Sequence, residues 1–177
     1  MSLTLIVLVG PSGSGKSTVA QSLVSSSHIC EADTFSGLYT HGKIDPSLLG
    51  TAHQSCQYRV KTLMMQRIPL IVQSNTNLDL GDRGLLPYLN LAATYGYQVK
   101  LMLPQHGLLH FPYHPSMDMQ LDHLIRSREK GDKIIPSHVI QRMVQTYLEN
   151  KVMYDILAPL SNPNEMRSIL QRVKNEK

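Results

Sequence analysis

The stretch "LTLIVLVGPSGSGKSTVA", Leu3 to Ala20, constrains the chain more than any other. The apolar, β-branched run Leu3 to Val9 suits a strand buried on both faces, as in the middle of a parallel sheet. It breaks at once into glycines, and a helix is expected from Lys16 to about Ser25. Gly10-Pro11-Ser12-Gly13-Ser14-Gly15-Lys16-Ser17 fits G-x-x-x-x-G-K-[ST] at every fixed position. Strand, glycine loop and helix in that order make an anion cradle. The glycines let the backbone curl with its N–H groups inward, and the helix adds its positive end.

The loop therefore reads as a phosphate site, with Gly10 through Thr18 holding a nucleotide, expected to be ATP. Lys16 is expected to bridge the β- and γ-phosphates, and the Ser17 hydroxyl to ligate Mg²⁺. Motors, GTPases, transporter ATPases and small kinases all begin this way. No N-K-x-D base-reading motif follows, which argues against a GTPase. The third expected strand ends in Gln73-Ser74-Asn75, without the acidic residues a motor ATPase wants. A kinase remains.

Beyond the loop the pattern alternates. Strands are expected at His28–Ala32, Ile68–Ser74 and Tyr97–Pro104. Helices are expected from Asp45-Pro46 to about Arg67, over "DRGLLPYLNLAATYG" ending on Gly96, and over about Met117–Lys130 and Pro136–Leu148. "QHGLLHFPYHPSM" has two prolines and no clean period and reads as a loop, and one more helix is expected after Asn150. The pattern implies an α/β chain with a mainly parallel sheet, right-handed crossovers and helices on both faces. Residues 1–150 read as the core domain and 151–177 as a C-terminal extension of the same domain.

In open α/β sheets ligands sit beyond the carboxyl ends of the strands. "EADTF" follows the second strand, which makes Asp33 a candidate general base, with a turn cap as the competing role and Glu31 as the fallback base. "SNTNL" follows the third, where Asn75 and Thr76 either face the substrate and the metal's water shell or close an Asx turn. "HLIRSREKGDK" carries Arg126, Arg128, Lys130 and Lys133, candidates for a cationic lid over the transferring phosphoryl group, with a solvated helix end as the competing account. Phe35 and Tyr39 follow the candidate base and can stack on bases of a single strand, or pack under the loop.

In this order the motifs resemble the phage-type polynucleotide 5′-kinases and the related eukaryotic-type kinase domains, from Leu3 to about Leu148. The marks are the phosphate loop, "ADTF", "DPSLLGTAHQSCQYRV", "SNTNL", "ATYGYQVKLM" and "GDKIIPSHVIQRM". The resemblance implies a P-loop NTPase fold, a four- to five-stranded sheet with a helical lid. It also implies transfer of the ATP γ-phosphate to the 5′-hydroxyl of single-stranded or end-exposed RNA or DNA. Asp33 would be the base and Arg126 a lid arginine. Lys130 stands where phage-type members have an arginine, a role Arg128 can take instead. Ser36 stands where they hold a substrate phosphate with an arginine, and Asn75 replaces an aspartate, as in the eukaryotic-type "NTN" version. The alternatives are a kinase for a nucleoside, nucleotide or sugar, and an ATP-binding module without turnover.

Net charge is +4, which suits a polyanionic partner or simply solubilises the chain. Cys30 and Cys56 are too far apart for a C-x-x-C site and read as buried thiols in a reducing compartment. The N-terminal run lacks the basic start of a signal peptide, and no apolar run approaches the roughly 20 residues of a membrane span. An intracellular protein, cytoplasmic or nuclear, is expected. His106, His110, His114 and His123 are read as loop histidines, since Pro112 and Pro115 forbid one helix carrying them all.

Overall fold

The computed structural model describes residues 2–103 and 133–176. Four parallel strands, β1 (Thr4–Leu8), β2 (Ile29–Cys30), β5 (Leu70–Gln73) and β6 (Gln98–Met102), pair in the order β2-β5-β1-β6. Thr4 lies opposite Leu70 on one side and Gln98 on the other, so β1 is central.

The pleat sorts alternate residues onto two faces. Leu5, Val7, Ile71, Val99 and Leu101 face the larger core. Ile6, Leu8, Val72 and Met102 face the smaller one, where Val19 and Ala20 of helix α1 (Lys16–Leu23) cover them. Helices α2 (Leu49–Met65) and α3 (Leu85–Tyr95) pack with each other, and their residues Cys56, Val60, Tyr88 and Leu89 lie in the larger core. The continuous apolar run of β1 thus reflects burial on both faces; each fully buried Leu or Val contributes about 1.5–3 kcal/mol.

The described elements depart from the expected ones in informative places. The strand expected at His28–Ala32 shrinks to two residues. Ser26–His28 and Ala32–Thr34 instead form single 3-10 turns closed by His28 N–H to Ser25 O and Phe35 N–H to Ala32 O. The long helix begins at Leu49, after a 3-10 turn at Pro46–Leu48 whose Asp45 carboxylate accepts from Ser47 N–H at 2.9 Å. Helix α3 starts at Leu85 rather than Asp82 and ends on Gly96 at φ 75°, the left-handed stop a glycine supplies without strain. An unexpected hairpin joins β3 (Tyr39–Thr40) to β4 (Lys43–Ile44) through His41 and Gly42, at φ 50° and 78°. Both turn residues are left-handed, as a two-residue hairpin loop requires.

After helix α4 (Ser137–Glu149) there are two helices, where one was expected: α5 (Lys151–Leu157) and α6 (Pro163–Asn175). "APLSN" separates them, and the Asn162 side chain caps α6 by accepting from Asn164 N–H at 2.9 Å. Tyr154, Leu157 and Met166 are fully buried in the larger core, and α6 packs on α3. Val99 N–H of the edge strand donates to Ser161 O at 2.9 Å. Residues 151–176 are therefore built into the same core as the sheet. Among the described residues no helix is long and apolar enough to cross a membrane.

Candidate active site

The phosphate loop leaves β1 at Val9, whose N–H donates to Met102 O, and Gly10 N–H donates to Thr76 O at 3.0 Å. The loop is thus tied to β6 and to the segment after β5. Gly13 and Gly15 both sit at φ 88°, where a side chain would strain the curl. Lys16 is buried, and its ammonium donates to Gly10 O at 2.8 Å and Pro11 O at 3.0 Å, across the mouth of the curl. Ser14 is buried; Ser17 and Thr18 are exposed on the first turn of α1.

The Ser17 hydroxyl donates to Glu31 Oε1 at 3.0 Å. This contact joins the end of β2 to the phosphate loop and puts two hard oxygen donors side by side. The pair fits Mg²⁺, which prefers a carboxylate or hydroxyl with water and phosphate oxygens to an all-protein cage. Among the described residues no group of three or more His, Cys, Asp or Glu forms such a cage.

Asp33 lies two residues on, in the 3-10 turn, with its side chain exposed. It caps no N–H in the turn. Its carboxylate accepts from Lys133 Nζ at 2.8 Å and from Tyr39 OH at 3.4 Å, and the Lys133 ammonium sits 5.1 Å from the Tyr39 ring centroid. Ile134 N–H donates to Gly42 O at 2.7 Å, so the chain at 133–134 is docked on the hairpin. His53, half-buried on α2, feels the Asp33 charge, but burial dominates and holds its imidazole below the ordinary value of 6.5. Phe35 and Tyr39 are partly buried against the larger core.

The segment after β5 is held by amides. Asn75 Oδ1 accepts from Ala32 N–H at 2.8 Å, and Asn75 Nδ2 reaches Tyr88 OH at 3.3 Å and Cys56 Sγ at 3.5 Å. Asn75 thereby ties the end of β2 to the end of β5, facing inward. Gln73 and Asn77, both buried, pair amide to amide, and Asn77 Nδ2 also donates to Leu8 O at 2.7 Å. Asn77 stands at φ 53°, a left-handed position asparagine tolerates better than most residues. Ser74 Oγ is the one side-chain oxygen of this segment that is buried without a partner.

Burial pushes the Cys30 thiol up to about 12 and raises that of Cys56, so neither is a nucleophile. Arg126, Arg128, Lys130 and His106, His110, His114 and His123 fall outside the described residues, as does the helix expected at 117–130. Lys133, one of the cations of the expected lid run, and Asn77, one of the short polar residues after the third strand, both lie in the site, with partners the motif reading did not name. Lys133 stands in a cationic run whose partner is 100 residues away. Asn77 is the second asparagine of "NTN" and reads as an ordinary turn residue.

A family model described as AAA domain matches residues 5–107, more than half of the chain. The chain belongs to that family. Among solved structures it is similar to a chain of the Pnkp1/Rnl/Hen1 RNA repair complex, with a TM-score of 0.60 and 20% identity. The match covers 85% of this chain and 46% of that one, so this chain spans about half the length of the one it matches. No curated protein matches. The fold is that of a P-loop NTPase, and the likeness to the solved chain holds at the level of fold. A nucleotide-binding phosphate loop comes with that membership.

Proposed function

We propose that this domain is an ATP-dependent phosphotransferase acting on the 5′-hydroxyl end of a polynucleotide. The observation that supports the reading is the Ser17–Glu31 contact at 3.0 Å, which ties the first residue of "EAD" to the phosphate loop, with Asp33 two residues further on.

In this reading the loop N–H groups and Lys16 hold the β- and γ-phosphates, and Lys16 offsets charge that develops on them. Mg²⁺ would be held by Ser17, with Glu31 behind it, and would neutralise phosphate charge. The acceptor hydroxyl oxygen attacks the γ-phosphorus and the bond to the bridging oxygen breaks. ADP leaves, and the hydroxyl proton passes to the Asp33 carboxylate. Lys133 and Tyr39 fix the orientation of that carboxylate; Asn75 fixes the backbone that carries it. Support for a nucleic-acid acceptor comes from the motif order and from the likeness to a chain of an RNA repair complex.

The test is phosphate transfer from γ-labelled ATP with Mg²⁺ to 5′-hydroxyl RNA and DNA oligonucleotides, with 5′-phosphorylated controls and free nucleosides alongside. Label on 5′-hydroxyl oligonucleotides alone is the expected result. Label only on small acceptors would replace the polynucleotide with a small substrate. ATP binding with no transfer to any acceptor would overturn the kinase reading.

A further inference from the structure

Ser74 Oγ is buried and has no hydrogen-bond partner among the described residues. A hydroxyl withdrawn from water with nothing to bond is costly, and folded proteins keep few such groups. An alanine would fill the same place without that cost. The position of Ser74 in the sheet shows what its hydroxyl is placed to serve.

Ser74 prolongs β5. Its N–H donates to Cys30 O at 2.9 Å, continuing the ladder in which Cys30 lies opposite Gln73. Side chains therefore still alternate between the two faces of the sheet at this point. Ile71 lies in the larger core, Val72 in the smaller one under α1, and Gln73 points back to Tyr88 of the larger core. Ser74 follows Val72 onto the α1 face. Gln73 has Val7 on one side and Cys30 on the other, so the same register one residue on sets Ser74 between Leu8 and Glu31. Leu8 packs under α1, and Glu31 accepts from the Ser17 hydroxyl on the first turn of that helix. Two residues beyond Ser74, Thr76 O holds the Gly10 N–H of the phosphate loop. The orphaned hydroxyl thus stands on the phosphate-loop face of the sheet, in one row with the carboxylate that meets Ser17.

Ser17 and Glu31 are the pair that fits Mg²⁺, an ion that keeps several of its waters when bound. Such waters need fixed partners, and a serine hydroxyl can both donate and accept. We propose that Ser74 is a positioning residue of the nucleotide–metal site, its Oγ bonding a water of the Mg²⁺ shell beside Ser17. The unpaired hydroxyl of the empty site is then satisfied when nucleotide and metal arrive. The proposal rests on the ATP and Mg²⁺ part of the proposed function and is independent of the acceptor.

The experiment is calorimetric binding of the β,γ-imido analogue of ATP, with and without Mg²⁺, to wild type, Ser74→Ala and Ser74→Thr. Ser168→Ala on α6 serves as the control. Ser74→Ala should lose about tenfold or more of the affinity that Mg²⁺ adds, with metal-free binding held within about twofold. Ser74→Thr keeps the hydroxyl and should recover part of the loss. Thermal melts give a second readout: without nucleotide, Ser74→Ala should melt at or above wild type, because it removes an unpaired group. A Ser74→Ala variant with the full Mg²⁺ gain would overturn the proposal and leave nucleotide binding standing. So would one that melts lower and loses affinity equally with and without the metal, the mark of a merely structural residue. Wild type that binds the analogue no better with Mg²⁺ than without would overturn the metal assignment and the proposal together.

Discussion

The two sides of the candidate active site are built from different materials. The donor side is backbone: a curl of eight residues, Gly10 to Ser17, that binds its own lysine and is pinned by Gly10 to Thr76 and Val9 to Met102. The acceptor side is side chains from distant places. Asn75 reaches Ala32 across 43 residues, Asn150 reaches Leu78 across 72, and Lys133 reaches Asp33 across 100. A backbone cradle is indifferent to most side-chain changes. A scaffold of long-range amides and one exposed ion pair can be altered one contact at a time.

This contrast is open to attack at several strengths. The largest effect belongs to the two residues to which the proposed function assigns the chemistry. Lys16→Ala should lower transfer by about a hundredfold or more, and Asp33→Asn by roughly 10² to 10⁴. The two should differ in ATP binding, measured by calorimetry: weakened by the first, unchanged by the second. Equal loss of ATP binding would erase the division between donor and acceptor sides.

Next comes the scaffold. Tyr154→Ala removes a fully buried ring stacked 5.6 Å from Tyr147 and should cost about 3–5 kcal/mol in urea unfolding. Tyr154→Phe should cost about 1 kcal/mol, since Asn150 still serves Leu78 O. A larger rise in KM for the nucleic acid than for ATP in Tyr154→Phe would show that this scaffold belongs to the acceptor side.

Smaller still is Lys133→Met. Both partners of the Lys133–Asp33 pair are partly exposed, so stability should change by less than about 1 kcal/mol while turnover falls measurably. A variant with unchanged turnover would remove Lys133 from the site.

The smallest effect concerns His53. Its folded imidazole titrates below 6.5, so the unfolded chain takes up the proton first as pH falls. The stability this contributes is whole above that pH and is lost as pH drops through the lower, folded value. His53→Gln should therefore flatten the fall in stability as pH drops below about 6.5, followed by chemical denaturation.

The same contrast explains what could be read from the residues alone. The phosphate loop was legible because contiguous residues carry its chemistry through their backbone, and glycine spacing states that geometry outright. Strand β1 was legible because burial on both faces imposes an unbroken apolar run, and β6 because buried Val99 and Leu101 alternate with exposed Gln98 and Lys100. Asp33 was placed correctly after β2, but its partner was not, because nothing in "KGDK" distinguishes a cation folded back on a carboxylate from a solvated one. The inward-facing role of Asn75 was hidden for a related reason: an amide that bridges two loops and one that closes a turn have the same sequence. Two helices stood where one was expected after Asn150, because a seven-residue helix is too short to show a period.

The bond from Val99 to Ser161 has a consequence for the protein's behaviour in concentrated solution. A border strand with free N–H groups is a template for pairing with other copies of the chain and for fibre growth. Here a strap carrying Pro159 and Pro163 covers that border, taking the Val99 hydrogen bond while offering a proline on either side that cannot donate one onward. The strap between the last two helices thus occupies the β6 border at Val99, and a chain shortened before it would be expected to associate more readily through that strand.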